Sequence, residues 1–206
     1  MRPSRESVMQ SLFDTLVAAT KTSFTADTQA GDQELANPST TAGLFIGLPV
    51  FGEGIPRGAV ITGVAPLTIS IAATVNALGV SMTTGFVTTS RRAKFTRDVP
   101  CPALFVRARP QDAEEIEYEG PLEALSLYAQ VVIVSEAGED PDVVPETSLN
   151  NFLDAIRAAM NPDPISGRFT LGGLVHWCRM IGKVDKDPGD IGPQAIAVAD
   201  IEIIVP

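Results

Sequence analysis

One histidine, two cysteines, one tryptophan and two tyrosines leave this chain of 206 residues short of the side chains that most often do chemistry. Cys101 and Cys178 make neither a disulfide framework nor a metal quartet. They fall in different predicted strands and read as reduced, small core residues of a cytoplasmic or cytoplasmically assembled protein. His176 stands alone beside Trp177 and reads as a structural side chain rather than a base or ligand. No apolar run approaches the roughly 18 residues of a membrane span. The first predicted helix carries Glu6 and Asp14, which does not suit a signal peptide. There is no G-x-S-x-G and no P-loop. Gly52-Glu53-Gly54 has part of a dinucleotide fingerprint, but it lies among strands and lacks the third glycine. Glu115, Glu117 and Glu119 share one face of an extended segment. A solvated face explains them better than a pair of catalytic carboxylates. The chain reads as a non-enzyme without cofactor or metal.

Positive charge is also scarce. Fifteen Lys and Arg against 25 Asp and Glu give a net charge of -10, which does not fit a nucleic-acid binder. The charges are segregated. Between Thr88 and Pro110 stand Arg91, Arg92, Lys94, Arg97, Arg107 and Arg109 against Asp98 alone. From Gln111 to Glu146 there are eleven acids and no Lys or Arg. Two solvated faces would account for this. So would a ring-forming subunit whose basic face meets the acidic face of its neighbour, where complementary charge sets register and speeds encounter.

Hydrophobic residues at 45% suffice for one domain with an ample core, or for two small ones. Val8, Leu12, Phe13, Leu16 and Val17 recur at helical spacing and predict a helix over 5–19, capped by Ser4. From residue 22 to 87 the composition shifts to Thr, Gly, Ala and Val, with Arg57 as the one basic residue. Short β-branched runs broken by Gly and Pro predict a compact all-β module there, Ig-like or a small sandwich. It reads as an insertion into a host domain made of 1–21 and 88–206, so its two ends must lie close together. The host continues with a proline-bounded strand over 101–110, an acidic strand or loop over 112–120, and a longer strand over 122–135. A second helix over 146–160 places Leu149, Phe152, Leu153 and Ile156 on one face. The run 169–182 opens on Gly172-Gly173, predicts a strand from Leu174 that stops at Gly182, and is followed by a solvated turn over 183–189. Along it Val175, Trp177 and Arg179 face one way and His176, Cys178 and Met180 the other. The final strand, 195–206, neighbours it. The fold class is α+β: a mixed sheet flanked by two helices, with the β module inserted. Candidate core residues are Phe105, Phe152, Leu153, Leu174 and Trp177.

The host segments resemble the tail terminator proteins of long-tailed bacteriophages. The likeness rests on the amphipathic first helix, Ser90-Arg91-Arg92 ahead of Pro102-Ala103-Leu104-Phe105, and Leu149-Asn150-Asn151-Phe152-Leu153-Asp154-Ala155-Ile156. It continues through Thr170-Leu171-Gly172-Gly173-Leu174-Val175, Gly182 and the ending from Ile201 to Pro206. The insertion departs from that pattern. Its Gly43-Leu44-Phe45-Ile46-Gly47-Leu48-Pro49-Val50 and Gly54-Ile55-Pro56-Arg57-Gly58 are similar to a small β module of phage and bacterial surface proteins.

The resemblance implies a virion protein at the tail–neck junction, assembled in the host cytoplasm. Six copies would close a homohexameric ring on the tail tube protein, stop its polymerisation, and offer a surface to the head-completion (stopper) protein. Candidate contacts are Arg91, Arg92, Lys94 and Arg97 in the basic stretch and Glu139, Asp140 and Asp142 in the acidic loop. The basic stretch would alternatively line the lumen near passing DNA; no membrane is involved. The alternatives are another neck or head–tail joining protein, or a surface-binding module carried by the insertion, which would otherwise be decoration standing off the ring.

Overall fold

The computed structural model describes residues 3–91, 99–109, 115–116, 124–136, 145–187 and 194–206. Helix α1 (Arg5–Ala18) begins where the Ser7 N–H donates to Ser4 Oγ at 3.0 Å, and it buries Val8, Met9, Leu12 and Leu16. Five short strands follow: β1 (Ser23–Thr28), β2 (Val50–Gly52), β3 (Ile61–Val64), β4 (Leu67–Ile69) and β5 (Ala77–Thr84). They form two antiparallel sheets, ordered β1-β5-β2 and β3-β4. Then come β6 (Thr88–Ser90), β7 (Ala103–Ala108), β8 (Glu115–Ile116), β9 (Ala124–Glu136), helix α2 (Pro145–Ala159), β10 (Trp177–Asp187) and β11 (Gln194–Val205). These strands build a six-stranded sheet ordered β10-β11-β9-β7-β6, with β8 also on β9. Among the described strands only β6–β7 is parallel, so the sheet is mixed and the fold is α+β, as the sequence predicts.

Alternation along β11 sorts the sheet into two faces. Ala195, Ala197, Ala199, Ile201, Ile203 and Val205 are buried on one face, while Ile196, Val198, Asp200 and Glu202 between them are half-buried on the other. On the first face Leu104, Val106, Ala129, Val131 and Ile133 complete the core with Leu12 and Leu16 of α1 and Leu149, Phe152, Leu153 and Ile156 of α2. Both helices therefore cover the same side. On the opposite side Phe105 joins Ala103, Val132 and Val134 in a separate small cluster, against which Val99, Cys101, Ile196 and Val198 pack. Phe105 is thus buried as expected, but apart from the helix–sheet core.

The two ends of 22–87 meet, as an insertion requires. The Thr84 N–H donates to the Thr22 carbonyl at 2.9 Å, the Thr22 N–H to Thr84 Oγ1 at 3.0 Å, and that hydroxyl to the Thr20 carbonyl at 2.9 Å. The strands between do not stand away on a tether. Phe45 meets Phe152 of α2 edge-on at 5.2 Å, and Phe86 stacks on it at 4.8 Å. Asn151 Nδ2 donates to the Ile46 carbonyl at 3.1 Å. At Gly47 the φ of +91° suits glycine, and a Cβ would lie 2.5 Å from Ser148 Oγ. Phe24, Leu44, Leu48 and Val50 belong to the same buried cluster as Leu16 and Phe152. The β module and the host share one core.

The run 169–182 differs from its prediction. Leu171, Gly172 and Gly173 all have positive φ, and the turn extends through His176, so the strand starts at Trp177 rather than Leu174. Gly182, at φ +69°, does not stop it. The β10–β11 register shifts between Ile181 and Asp185, and the strand runs on through Lys183–Asp187. A glycine in the left-handed region fits such a bulge as well as a terminus. Cys178 is buried against the helices, while Trp177 and Arg179 share the other face, as alternation predicts. His176 and Val175 precede the strand instead of lying in it. Leu174 is half-buried against the core. Trp177 is half-buried outside it, with the Arg179 guanidinium 4.1 Å from its ring centroid, so it is not the core anchor expected.

Phe152→Ala should therefore remove about 3–5 kcal/mol, since it empties a site walled by Phe45, Phe86 and the sheet. Trp177→Ala should cost about 1–2 kcal/mol, from partial burial and one cation–π contact. Urea unfolding of both variants checks the order; equal losses would place Trp177 in the core after all.

Candidate functional site

The side of the six-stranded sheet without helices is the most distinctive surface. Register sets what it displays. Ala103 and Phe105 on β7, Val134 and Val132 on β9, and Ile196 and Val198 on β11 form two apolar rows, of which the first four are buried and Ile196 and Val198 half-buried. Two residues further along each strand the chemistry changes. The next row reads Arg107, Gln130 and Asp200, and the one beyond it Tyr128, Glu202 and Arg179. Arg107 Nε donates to Gln130 Oε1 at 2.8 Å, and Gln130 Nε2 to Asp200 Oδ1 at 3.2 Å. Arg109, just past the end of β7, donates from Nη1 to Asp200 Oδ2 at 2.8 Å. Arg179 engages Glu202 Oε2 through Nε and Nη2 at 2.9 Å while its flat side covers Trp177. The result is a ladder of side chains across four strands, with guanidinium, phenol and indole groups beside an apolar floor.

Signals for this surface were present in the sequence. Alternation through Ala103, Phe105 and Arg107 marks the change from apolar to basic. Asp200 and Glu202 are the two acids in an otherwise apolar strand, spaced to share a face. Their meeting with Arg109 and Arg179 depends on strand order, which no local pattern encodes.

The predicted contact residues divide differently. Arg91 forms an ion pair with Glu6 of α1 and lies 3.5 Å from Gln10 Oε1, so it secures the helix. Arg92, Lys94, Arg97, Glu139, Asp140 and Asp142 lie outside the described residues.

The described residues hold no group of three His, Cys, Asp or Glu able to bind a metal ion. No described helix is long and apolar enough to cross a membrane. His176 is exposed on a bend, with no acid–base partner described. Both cysteines are free thiols. Burial pushes Cys178 up to about 12. Burial, then the Glu136 carboxylate, pushes Cys101 up to about 11 against a hydrogen bond from Gln194. Thiolate is the nucleophile, so neither is primed for attack near neutral pH.

A carboxylate of a different kind organises the β module. Asp27 accepts the Asn37 side-chain amide at 2.8 Å and the Gly79 N–H at 2.7 Å, tying β1 to the following loop and to β5. Those two donors, Asn37 first, hold its carboxyl below the usual range. A depressed folded-state value contributes stability that is fully present above the unfolded value and is lost as pH falls through the folded one.

Two outcomes follow. Iodoacetamide at pH 8 should label Cys101 and Cys178 far more slowly in the native protein than after denaturation; equal rates would show an exposed, activated thiol. Asp27→Asn should lower the urea midpoint at pH 7 and shrink its drop as pH falls below about 3.8. A wild-type-like acid limb in that variant would remove Asp27 from the account.

Compared with family models and with curated proteins, the chain matches none.

Proposed function

We propose that this chain is a structural virion subunit that caps a phage tail tube as a ring, halts tube growth and docks the head-completion protein. The observation that carries this reading is the two-sided sheet. Helices seal one face, while the other carries half-buried Ile196 and Val198 beside Arg, Tyr and Trp, the types enriched where proteins meet. A cap needs rigidity more than reactivity. One surface must match the last tube ring, another must refuse a further tube subunit, and the contact between copies must be head-to-tail so that rotation closes it. Unlike edges among the described strands support this reading: β10 along one side and the short β6 on the other.

A second reading draws on the β module. Ser23, Thr25, Ser81, Thr83 and Phe51 are all exposed on one face of the β1-β5-β2 sheet, where Ser23, Thr83 and Phe51 stand in register. An uncharged, hydroxyl-rich face suits a neutral ligand on a cell surface.

Electron microscopy of particles made with and without this chain tests both. Overlong, headless tails in its absence are expected for a cap. Tails of normal length that fail to join heads would replace capping with a joining role. Joined particles that adsorb poorly would transfer the function to the β module.

A further inference from the structure

Ile165 is 95% exposed, and no other described large apolar side chain is exposed more. It does not stand on slack chain. Asp163 Oδ1 accepts the Ile165 N–H at 2.9 Å and the Ser166 N–H at 2.7 Å. The Gly167 N–H donates to the Asp163 carbonyl at 2.8 Å, and the Asp163 N–H to the Arg168 carbonyl at 3.1 Å. Pro162 and Pro164 fix φ on either side of Asp163. Just beyond, the Phe169 carbonyl accepts the Cys178 N–H at 2.8 Å, which ties the loop to β10. A loop braced in this way loses little freedom on docking. Three residues past the isoleucine, Arg168 is exposed, with no ion-pair partner among the described residues. The loop thus presents an apolar knob with a cation beside it.

A groove with the opposite character lies between the end of α1, the loop before β2 and α2, with a volume of about 460 Å3. Ala19, Phe45, Ala155, Ala158 and Ala159 wall it, and Asp154, 71% exposed, adds a carboxylate at its rim. On α2 the walls are methyl groups, so a branched side chain has room to enter. Asp154 meets Arg157 at 3.5 Å, between side chains both more than half exposed, a contact worth little. It is free to turn to another cation. We propose that Ile165 of one copy seats in this groove on a second copy, with Arg168 beside Asp154, a contact that rests on the ring reading above and names how its subunits meet. One chain carries both halves of the match and keeps them apart: Ile165 stands in water, and neither it nor Arg168 lines the groove of its own copy. Knob and groove are different patches, so the contact is heterologous, the kind that rotation closes into a ring. Apolar burial supplies its affinity, and the opposite charges set its orientation.

Sedimentation velocity over a range of protein concentrations tests the contact. The wild-type chain should assemble. Ile165→Asp, and separately Ala158→Trp, should each need about tenfold or more protein to do so, because one puts a charge on the knob and the other fills the groove. Asp154→Lys and Arg168→Glu should each weaken assembly. A chain carrying both should recover it in part, since the pair returns with its signs exchanged. Ile165, Ala158, Asp154 and Arg168 are all exposed in the single chain, so circular dichroism should show each variant folded. If Ala158→Trp unfolds, the charge exchange tests the groove in its place. Assembly of all variants at wild-type concentrations would overturn this contact and leave the ring standing. A wild-type chain that stops at pairs, which Ile165→Asp separates, would keep the contact as a reciprocal one and overturn the ring. A wild-type chain that stays monomeric at every concentration would overturn both.

Discussion

The pairing of β9 with β11 is the constraint on which the rest depends. The two strands stay in register from Gln194 opposite Glu136 to Val205 opposite Leu125, without a bulge. That register decides which side chains meet the helices and which form the ladder. Because side chains alternate, a slip of one residue would send Ile201, Ile203 and Val205 to the open face and bury Asp200 and Glu202 beneath α1 and α2. Burying those carboxylates away from their arginines carries a heavy desolvation penalty. The apolar and polar halves of β11 therefore enforce the same pairing for opposite reasons. β10 tolerates a bulge at Gly182 because it lies at the edge, where one neighbour rather than two must be matched.

Phe152 extends this order beyond the sheet. Its helix is anchored to β9 and β11 by Leu149, Leu153 and Ile156, and its ring is held between Phe45 and Phe86. Phe45 lies inside the β module and Phe86 at its exit. One aromatic residue thus links the insertion's loop, its return point and the host. The Thr20, Thr22 and Thr84 hydrogen bonds close the neck of the same insertion. With both devices in place the module holds a fixed orientation on the host, and the proposed ring would present its modules in fixed positions too.

The legible parts of the fold were those written in local periodicity. Val8, Leu12 and Leu16 gave α1, and Leu149, Phe152, Leu153 and Ile156 gave α2; the apolar run over 195–205 gave β11. Trp177 was illegible because size and hydrophobicity say nothing of which face of an edge strand is covered. Its neighbour two residues on, Arg179, was the clue that this face is open. Gly182 misled for a related reason. A left-handed glycine ends a strand or bulges it, and only the partner's register distinguishes the two. Arg91 was singled out for its place in a basic run, but Glu6 lies eighty-five positions away and no local pattern foretold their ion pair. The arginine ladder had the same character. Its residues come from β7, the residue after it, and β10, and become one surface only through strand order.

This last point bears on how charge works in the molecule. Taken as a run along the chain, the arginines between Thr88 and Pro110 suggest one basic patch. Folding divides them. Arg91 is spent on α1, while Arg107 and Arg109 join Arg179 from a strand that sequence distance keeps apart. The Arg91 guanidinium, 24% exposed, is turned to its own helix through Nη1. A guanidinium that leans on a sheltered carboxylate or on an amide keeps its orientation and still faces outward. Side chains already held by Gln130, Asp200 and Glu202 lose less conformational freedom on binding than free ones would. The ladder's internal hydrogen bonds are therefore compatible with an interface, because they prepare the arginines in the geometry in which a second chain would meet them.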